Sequence, residues 1–244
     1  FNNTDKSVNF NIQSSETNRL TDFGYKTNKS GFTIGTYFEY LDDFNLGLST
    51  SNYYEKIETD STASARQKSQ AGNYWDSFIN LNFDYDKRNQ KFETSEGFRS
   101  RYLIDLPIIS KTNSLTNTLN YQYYTELYEN NISNFSIYLK AVDSISNDDV
   151  KLSERIFLPS NKLRGFERGK VGPKDGNDFI GGNYATAINL STTLPQLLEN
   201  SQNVDFIAFL DIANIWGVDY NSSLDINDEI RSSVGLGIDW FSPI

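Results

Sequence analysis

Histidine and cysteine, the side chains most used for proton transfer and nucleophilic attack, do not occur in this sequence. Their absence excludes thiolate nucleophiles, disulfides, imidazole acid–base catalysis and the His/Cys ligand sets of metal sites. Carboxylates and guanidinium groups remain. The pairs Asp42–Asp43 and Asp148–Asp149 have the composition of calcium ligands or of an acid–base couple, but both read better as solvated turns. Arg99, Arg101 and Asp105 alternate with Phe98, Tyr102, Ile104 and Leu106, which puts the three charges on one face of a strand, facing water. The segment richest in possibilities is Leu163–Arg164–Gly165–Phe166, followed by Gly172–Pro173 and by Gly181–Gly182–Asn183. Arg164 offers a planar fork of five donors that grips a carboxylate bidentately. Gly165 permits a tight backbone beside it, and Phe166 supplies an apolar anchor. The plainer reading of Arg164 is a solvated loop cation. No catalytic residue, metal or cofactor is implied anywhere.

The elements that would position these residues are strands. Val8, Phe10 and Ile12 alternate with Asn9, Asn11 and Gln13, and the same period of two returns along most of the chain. It is clear in Trp75–Tyr85, Phe98–Leu106, Leu115–Leu127, Phe135–Ala141, Tyr184–Leu194, Val204–Ile212 and Ile230–Trp240. About ten strands of roughly ten residues result, the length a tilted strand needs to cross a bilayer. No segment with helical period competes. Long polar connections are expected at 14–31, 57–72, 144–180 and 217–229. Shorter ones fall at 42–43, 128–133 and 195–203, with 86–97 intermediate and 108–113 short where a long one is due. Asp211 shares a face with Asp205 and Phe209, while Leu210 and Ile212 point the other way.

Composition fits a membrane barrel. The 244 residues carry 15 Tyr and 17 Phe and a formal charge of −10, yet mean hydropathy is polar at −0.55. Many rings with little aliphatic bulk suit a transmembrane barrel, with lipid-facing residues alternating against polar ones and aromatic girdles at both interfaces. A soluble β-sandwich also alternates, but its inner faces normally hold more Val and Leu. The acidic balance argues against nucleic acid as a partner. No apolar run approaches a membrane-spanning helix. The sequence contains no Met, and its last residues, Trp240–Phe241–Ser242–Pro243–Ile244, form a turn. The expectation is therefore a partial barrel domain over 1–244, cut at both ends.

The loop motif gives a more specific reading. Arg164–Gly165–Phe166, Gly172–Pro173 and Gly181–Gly182–Asn183 together resemble the sixth extracellular loop of the BamA-like outer-membrane assembly barrels, the bacterial surface antigen family. Three other stretches are similar to that family in the same order: Tyr85–Asn89 with Thr94–Phe98, Phe209–Trp216 and Arg231–Pro243. The family also includes the TamA translocation barrel, two-partner secretion transporters and the assembly barrels of mitochondria and chloroplasts. The resemblance implies an all-β fold, a transmembrane antiparallel barrel of which this chain covers about ten of a probable sixteen strands, with the extracellular loop at 144–180. It places the periplasmic POTRA domains outside this chain. It further implies an outer-membrane location and the bilayer, unfolded outer-membrane protein clients and accessory lipoproteins as partners. The implied function is folding and insertion of β-barrel proteins without covalent chemistry; polypeptide export by a related translocation barrel is the alternative. In the family a lumen-facing Glu often stands where this chain has Ser191, so a single Arg164–Asp211 pair is expected rather than a forked one.

Overall fold

The computed structural model describes residues 6–19, 23–128, 131–146, 148–194, 204–219, 224 and 229–240. Ten strands form one sheet in which every neighbouring pair is antiparallel: β1 (Lys6–Arg19), β2 (Tyr25–Leu41), β3 (Phe44–Thr59), β4 (Gly72–Asp86), β5 (Gly97–Ile109), β6 (Ser114–Tyr128), β7 (Asn131–Ser144), β10 (Tyr184–Thr193), β11 (Val204–Trp216) and β12 (Arg231–Trp240). Spatial order follows chain order, with only the two-residue strands β8 (Lys174–Asp175) and β9 (Asp178–Phe179) set apart as a small hairpin. The sheet is open, with β1 and β12 at its edges.

The alternation read from the sequence divides the two faces. Outward residues are apolar and exposed: Val8, Phe10 and Ile12 on β1, Phe32 and Ile34 on β2, and Val234, Leu236 and Ile238 on β12. Val234 is 82% exposed, which in water would be unfavourable and in lipid is not. Aromatic rings pair across strands on this face, as in Phe44–Tyr85, Phe83–Tyr102 and Phe98–Tyr121. The inner face holds Glu55, Asp76, Asp84, Asn189 and Asp211, all buried.

The core lies between that inner face and the long segment joining β7 to β10. Val150, Ile156, Leu158, Leu163 and Val171 of the segment pack on Tyr138, Val142, Ala185, Ala187, Ala213 and Ile215 of the wall. Alanines on β10 and β11 leave the depth in which those larger loop residues sit. A second cluster joins Phe23, Tyr25 and Leu152, with Phe157 and Phe179 against it.

Two connections differ from the expectation. Residues 14–31 are not a long loop: β1 and β2 pair in unbroken register from Lys6↔Phe38 to Arg19↔Tyr25, leaving only 20–24 between them. The alternation is lost there because the strands overrun the bilayer. β2 has 17 residues, against the roughly 9–11 that a tilted strand needs to span it. Beyond the lipid both faces meet water, and polar contacts such as Lys26–Glu16 at 2.8 Å and Ser14–Ser30 at 3.0 Å replace apolar rows. Similarly, 57–72 starts inside β3 and contains one helical turn, α1 (Ala65–Ser69), with a full capping box between Ser64 and Gln67. That box was readable as Ser-x-x-Gln. The connection at 195–203 and most of 217–229 lie outside the described residues.

Candidate functional site

The segment from 145 to 183 would be a floppy excursion if nothing held it. Three cations along it are tied down at separate places, two of them to strands of the wall. Arg164 makes the contact with Asp211 that the resemblance implied and strand parity supported. Its Nε donates to Asp211 Oδ2 at 2.8 Å and its Nη2 to Oδ1 at 2.7 Å, while its backbone N–H donates to Oδ2 at 2.9 Å. Asp211 is completely buried and Arg164 is 30% exposed. The φ of Gly165 is +81°, which turns the chain immediately after the arginine.

Ser191 pairs with Phe209 and so lies two positions along β10 from Asn189, the residue facing Asp211. Asn189 Nδ2 donates to Asp211 Oδ1 at 2.8 Å and to the Lys162 carbonyl at 2.9 Å, so a neutral amide supports the single ion pair. One detail of this contact departs from expectation: the ring against the guanidinium is not Phe166. Phe209 on β11 lies 3.6 Å from Arg164 Cζ, a cation–π contact. Phe166 is 38% exposed and lines a crevice inside the loop with Leu158, Leu163 and Val171. The inward face of a strand two residues from Asp211 was the signal that could have found Phe209. Nothing local marks Asn189, because it depends on the β10–β11 register.

Lys151 forms the second contact, which sequence reasoning missed. Its ammonium lies 2.5 Å from Asp76 on β4, 3.0 Å from Glu55 on β3 and 3.2 Å from Glu154, and sits over the Tyr74 ring at 4.9 Å. Ser110 donates to Asp76 at 2.7 Å and Ser153 to Glu55 at 2.9 Å. Burial opposes the charge on Lys151, but Glu154, Glu55 and Asp76 outweigh it and hold its pKa above the ordinary lysine value. Burial in turn pushes the Glu154 carboxyl up, with Lys151 opposing. Asp76 and Glu55 each looked like one more polar residue on an inward face, and their partner lies 75 and 96 positions away in the chain.

Arg155 forms the third contact, with Asp219 and with Asn183 Oδ1 at 3.2 Å. This gives Asn183 of the Gly-Gly-Asn motif a role at the loop's exit. Gly182 pairs backbone to backbone with Ile156 at 2.8 and 3.1 Å. A Cβ on Gly182 would stand 2.5 Å from the Trp216 carbonyl oxygen. Gly181 has φ +69° and Gly172 φ +103°, and the Pro173 carbonyl accepts from Ile180 N–H at 3.1 Å to close the small hairpin. Of the residues singled out in the sequence, Arg164, Gly165 and Asp211 thus come together, while Gly172, Pro173, Gly181, Gly182 and Asn183 shape the return to β10. Arg99 and Arg101 bind Asp84, whereas Asp105 accepts from Asn80 at 2.6 Å. Asp43 occupies a hairpin turn at φ 65°, and Asp149 pairs with Arg66. Among the described residues no cluster of carboxylates is arranged to hold a metal.

An open antiparallel sheet with an apolar outer face, a polar inner face and a loop folded back inside defines a membrane-spanning barrel wall of the outer-membrane type. The model of the Omp85 superfamily domain matches residues 1–244, and the chain belongs to that superfamily. It is 25% identical over 199 residues to the outer membrane protein assembly factor BamA of Nitratidesulfovibrio vulgaris, covering 78% of this chain and 24% of that protein. With BamA of Neorickettsia risticii it shares 24% identity over 226 residues, 90% of this chain and 30% of that one. The chain therefore spans between a quarter and a third of the length of these relatives. The crystal structure of BamA from Haemophilus ducreyi lacking POTRA domains 1–3 superposes with a TM-score of 0.85 at 19% identity, over 98% of this chain and 53% of that one. CdiB from Acinetobacter baumannii has the same general fold more distantly, with a TM-score of 0.57 at 9% identity, over 98% of this chain and 41% of that one.

Proposed function

We propose that this chain is the wall and the internal brace of a bacterial outer-membrane protein assembly factor, which folds and inserts other β-barrels into the outer membrane. The relatives named as assembly factors support the reading, and the Arg164–Asp211 contact carries it. A lipid-facing barrel needs no arginine pinned to its inner face to stand as a wall. A loop tied into its lumen, however, closes the passage and stiffens one side, leaving flexibility for the part that engages clients. No step requires covalent chemistry, so the protein acts without being an enzyme. Clients would be unfolded outer-membrane proteins, which can add to a sheet edge by β-augmentation, and accessory lipoproteins would complete the machine.

Polypeptide export is the second reading, supported by the more distant likeness to CdiB. The wild-type gene product separates the two, and Arg164→Ala in that full protein tests the brace. Removing the guanidinium leaves Asp211 buried without its charge partner, a cost of about 2–3 kcal/mol after allowance for lumen water. Reconstituted into vesicles, the variant is expected to insert a test β-barrel several-fold more slowly, with faster proteolysis of the loop. Unimpaired insertion with a protease-sensitive loop would overturn the brace. Export of a soluble polypeptide with no barrel insertion by the wild type would favour the second reading.

A further inference from the structure

A separate feature of the inner wall has no part in holding the loop. Arg99 and Arg101 on β5, Asn120 and Gln122 on β6 and Lys162 of the loop frame a recess of about 200 Å³. Each of the five carries N–H donors, and no carboxylate belongs to the lining. Behind it, Asp84 accepts from Arg99 Nε at 2.8 Å and Nη2 at 2.6 Å, from Arg101 Nη2 at 3.2 Å and from the Tyr37 hydroxyl at 3.1 Å. Asp84 is thus saturated by two arginines, of which Arg99 also lies 3.7 Å from Asp86, and Lys162 adds a third cation to the same hollow. Arg101 Nε is buried and has no acceptor. The Lys162 ammonium has only the Tyr138 ring, 5.6 Å away, and among the described residues no carboxylate lies within ion-pair distance of it. Burial lowers the Lys162 pKa, with Asp211 partly offsetting this. In a chain of net charge −10, such an electropositive hollow is an exception, and its unmet donors match the oxygens of an oxyanion.

We propose that this recess docks a carboxylate of an acidic polypeptide segment that enters the lumen from the short-turn end of the sheet. Position selects the polypeptide over a lipid. The recess opens on the inner face, while lipid meets only the outer one. Arg99 and Arg101 lie near the start of β5, at the end of the sheet carrying the connections at 42–43, 87–96 and 129–130, and the long loop enters from the opposite end. A side-chain carboxylate on an extended chain reaches the recess without crossing the wall. The inference does not depend on assembly activity, so it can fail while that reading stands.

The test uses the full gene product in lipid nanodiscs and a dye-labelled tetraglutamate peptide, followed by fluorescence anisotropy. The peptide is expected to bind and a tetraglutamine counterpart is not, with binding weakened several-fold at about 0.5 M salt, where the screening length falls to about 4 Å. Lys162→Gln removes a cation that makes no ion pair, and Arg101→Gln leaves the two-point Arg99 grip on Asp84 intact, so both variants should retain the barrel, as heat-dependent gel migration would verify. Each is expected to weaken binding roughly fivefold, the scale of one partly screened ion pair. Unchanged peptide binding in Lys162→Gln would overturn the proposal, as would equal binding of tetraglutamine. Binding of inorganic phosphate without binding of tetraglutamate would also overturn it, identifying a free-anion or headgroup site instead.

Discussion

At the residue scale, two kinds of loop attachment differ in how they fail. Arg164 grips Asp211 with water on one side, whereas Lys151 is only 1% exposed and shares its charge among three carboxylates. Lys151→Met, close in length but uncharged, leaves Glu55 and Asp76 buried without a counter-ion and is expected to cost about 3–5 kcal/mol, more than Arg164→Ala. Thermal unfolding in detergent, compared across the two variants, checks the order. The direction of the lysine shift fixes a pH dependence as well. A cation with a raised folded pKa contributes its full stabilisation below the unfolded value, about 10.4 for lysine, and loses it as pH rises through the folded one. Protease resistance of residues 145–160 should therefore hold from neutrality to about pH 10 and fall above it in the wild type, with no such fall in Lys151→Met. Arg164 and Asp211 could be matched from the sequence because the loop motif resembles that of a known family and strand parity, which is local information, agrees. Lys151 could not, since its partners lie on strands far away in the chain and only the folding of the loop onto the sheet brings them together.

At the element scale, glycines in the loop perform different tasks, and substitution separates them. An alanine at Gly165 meets nothing closer than Ser233 Cβ at 4.0 Å, so its cost is confined to the left-handed backbone, about 1–2 kcal/mol. An alanine at Gly182 would push into the Trp216 carbonyl at 2.5 Å, on the neighbouring strand. Gly182→Ala is thus expected to disturb the Ile156–Gly182 bridge and the exit into β10, and to lower the melting temperature more than Gly165→Ala does. Circular dichroism melts of both variants test the ranking. The strands themselves were largely legible, because lipid on one side and lumen on the other enforce a period of two. Their lengths were not. Where β1 and β2 project past the bilayer the apolar partner of each alternation is replaced by Ser, Thr and Asn, and the sequence looks like a loop although the hydrogen-bonded ladder continues.

At the scale of the whole molecule, the loop joins strands that are not neighbours. Lys151 is fixed to β3 and β4, and Arg164 to β11. Between β4 and β11 lie β5, β6, β7 and β10, about 24 Å of wall at the usual strand spacing. Native-state hydrogen exchange in detergent should therefore report β4 through β11 as one protected unit, which Lys151→Met is expected to loosen at its β4 end. Unchanged protection of β4 in that variant would contradict this. The overall architecture was readable from alternation and motif order, but this long-range tie was not, because an anchor's position along the chain says nothing about which arc of wall it subtends.

Viewed mechanically, the loop is a bowstring. A strung bow keeps its curvature because the string bears tension that the limb would otherwise release by flattening. Here fourteen residues, from Lys151 to Arg164, subtend the arc from β4 to β11 and hold its radius. Strain applied to the wall by a growing neighbour or by thinning of the bilayer cannot be absorbed within that arc without breaking a buried ion pair. It is passed along to the unstrung strands on either side, which yield first.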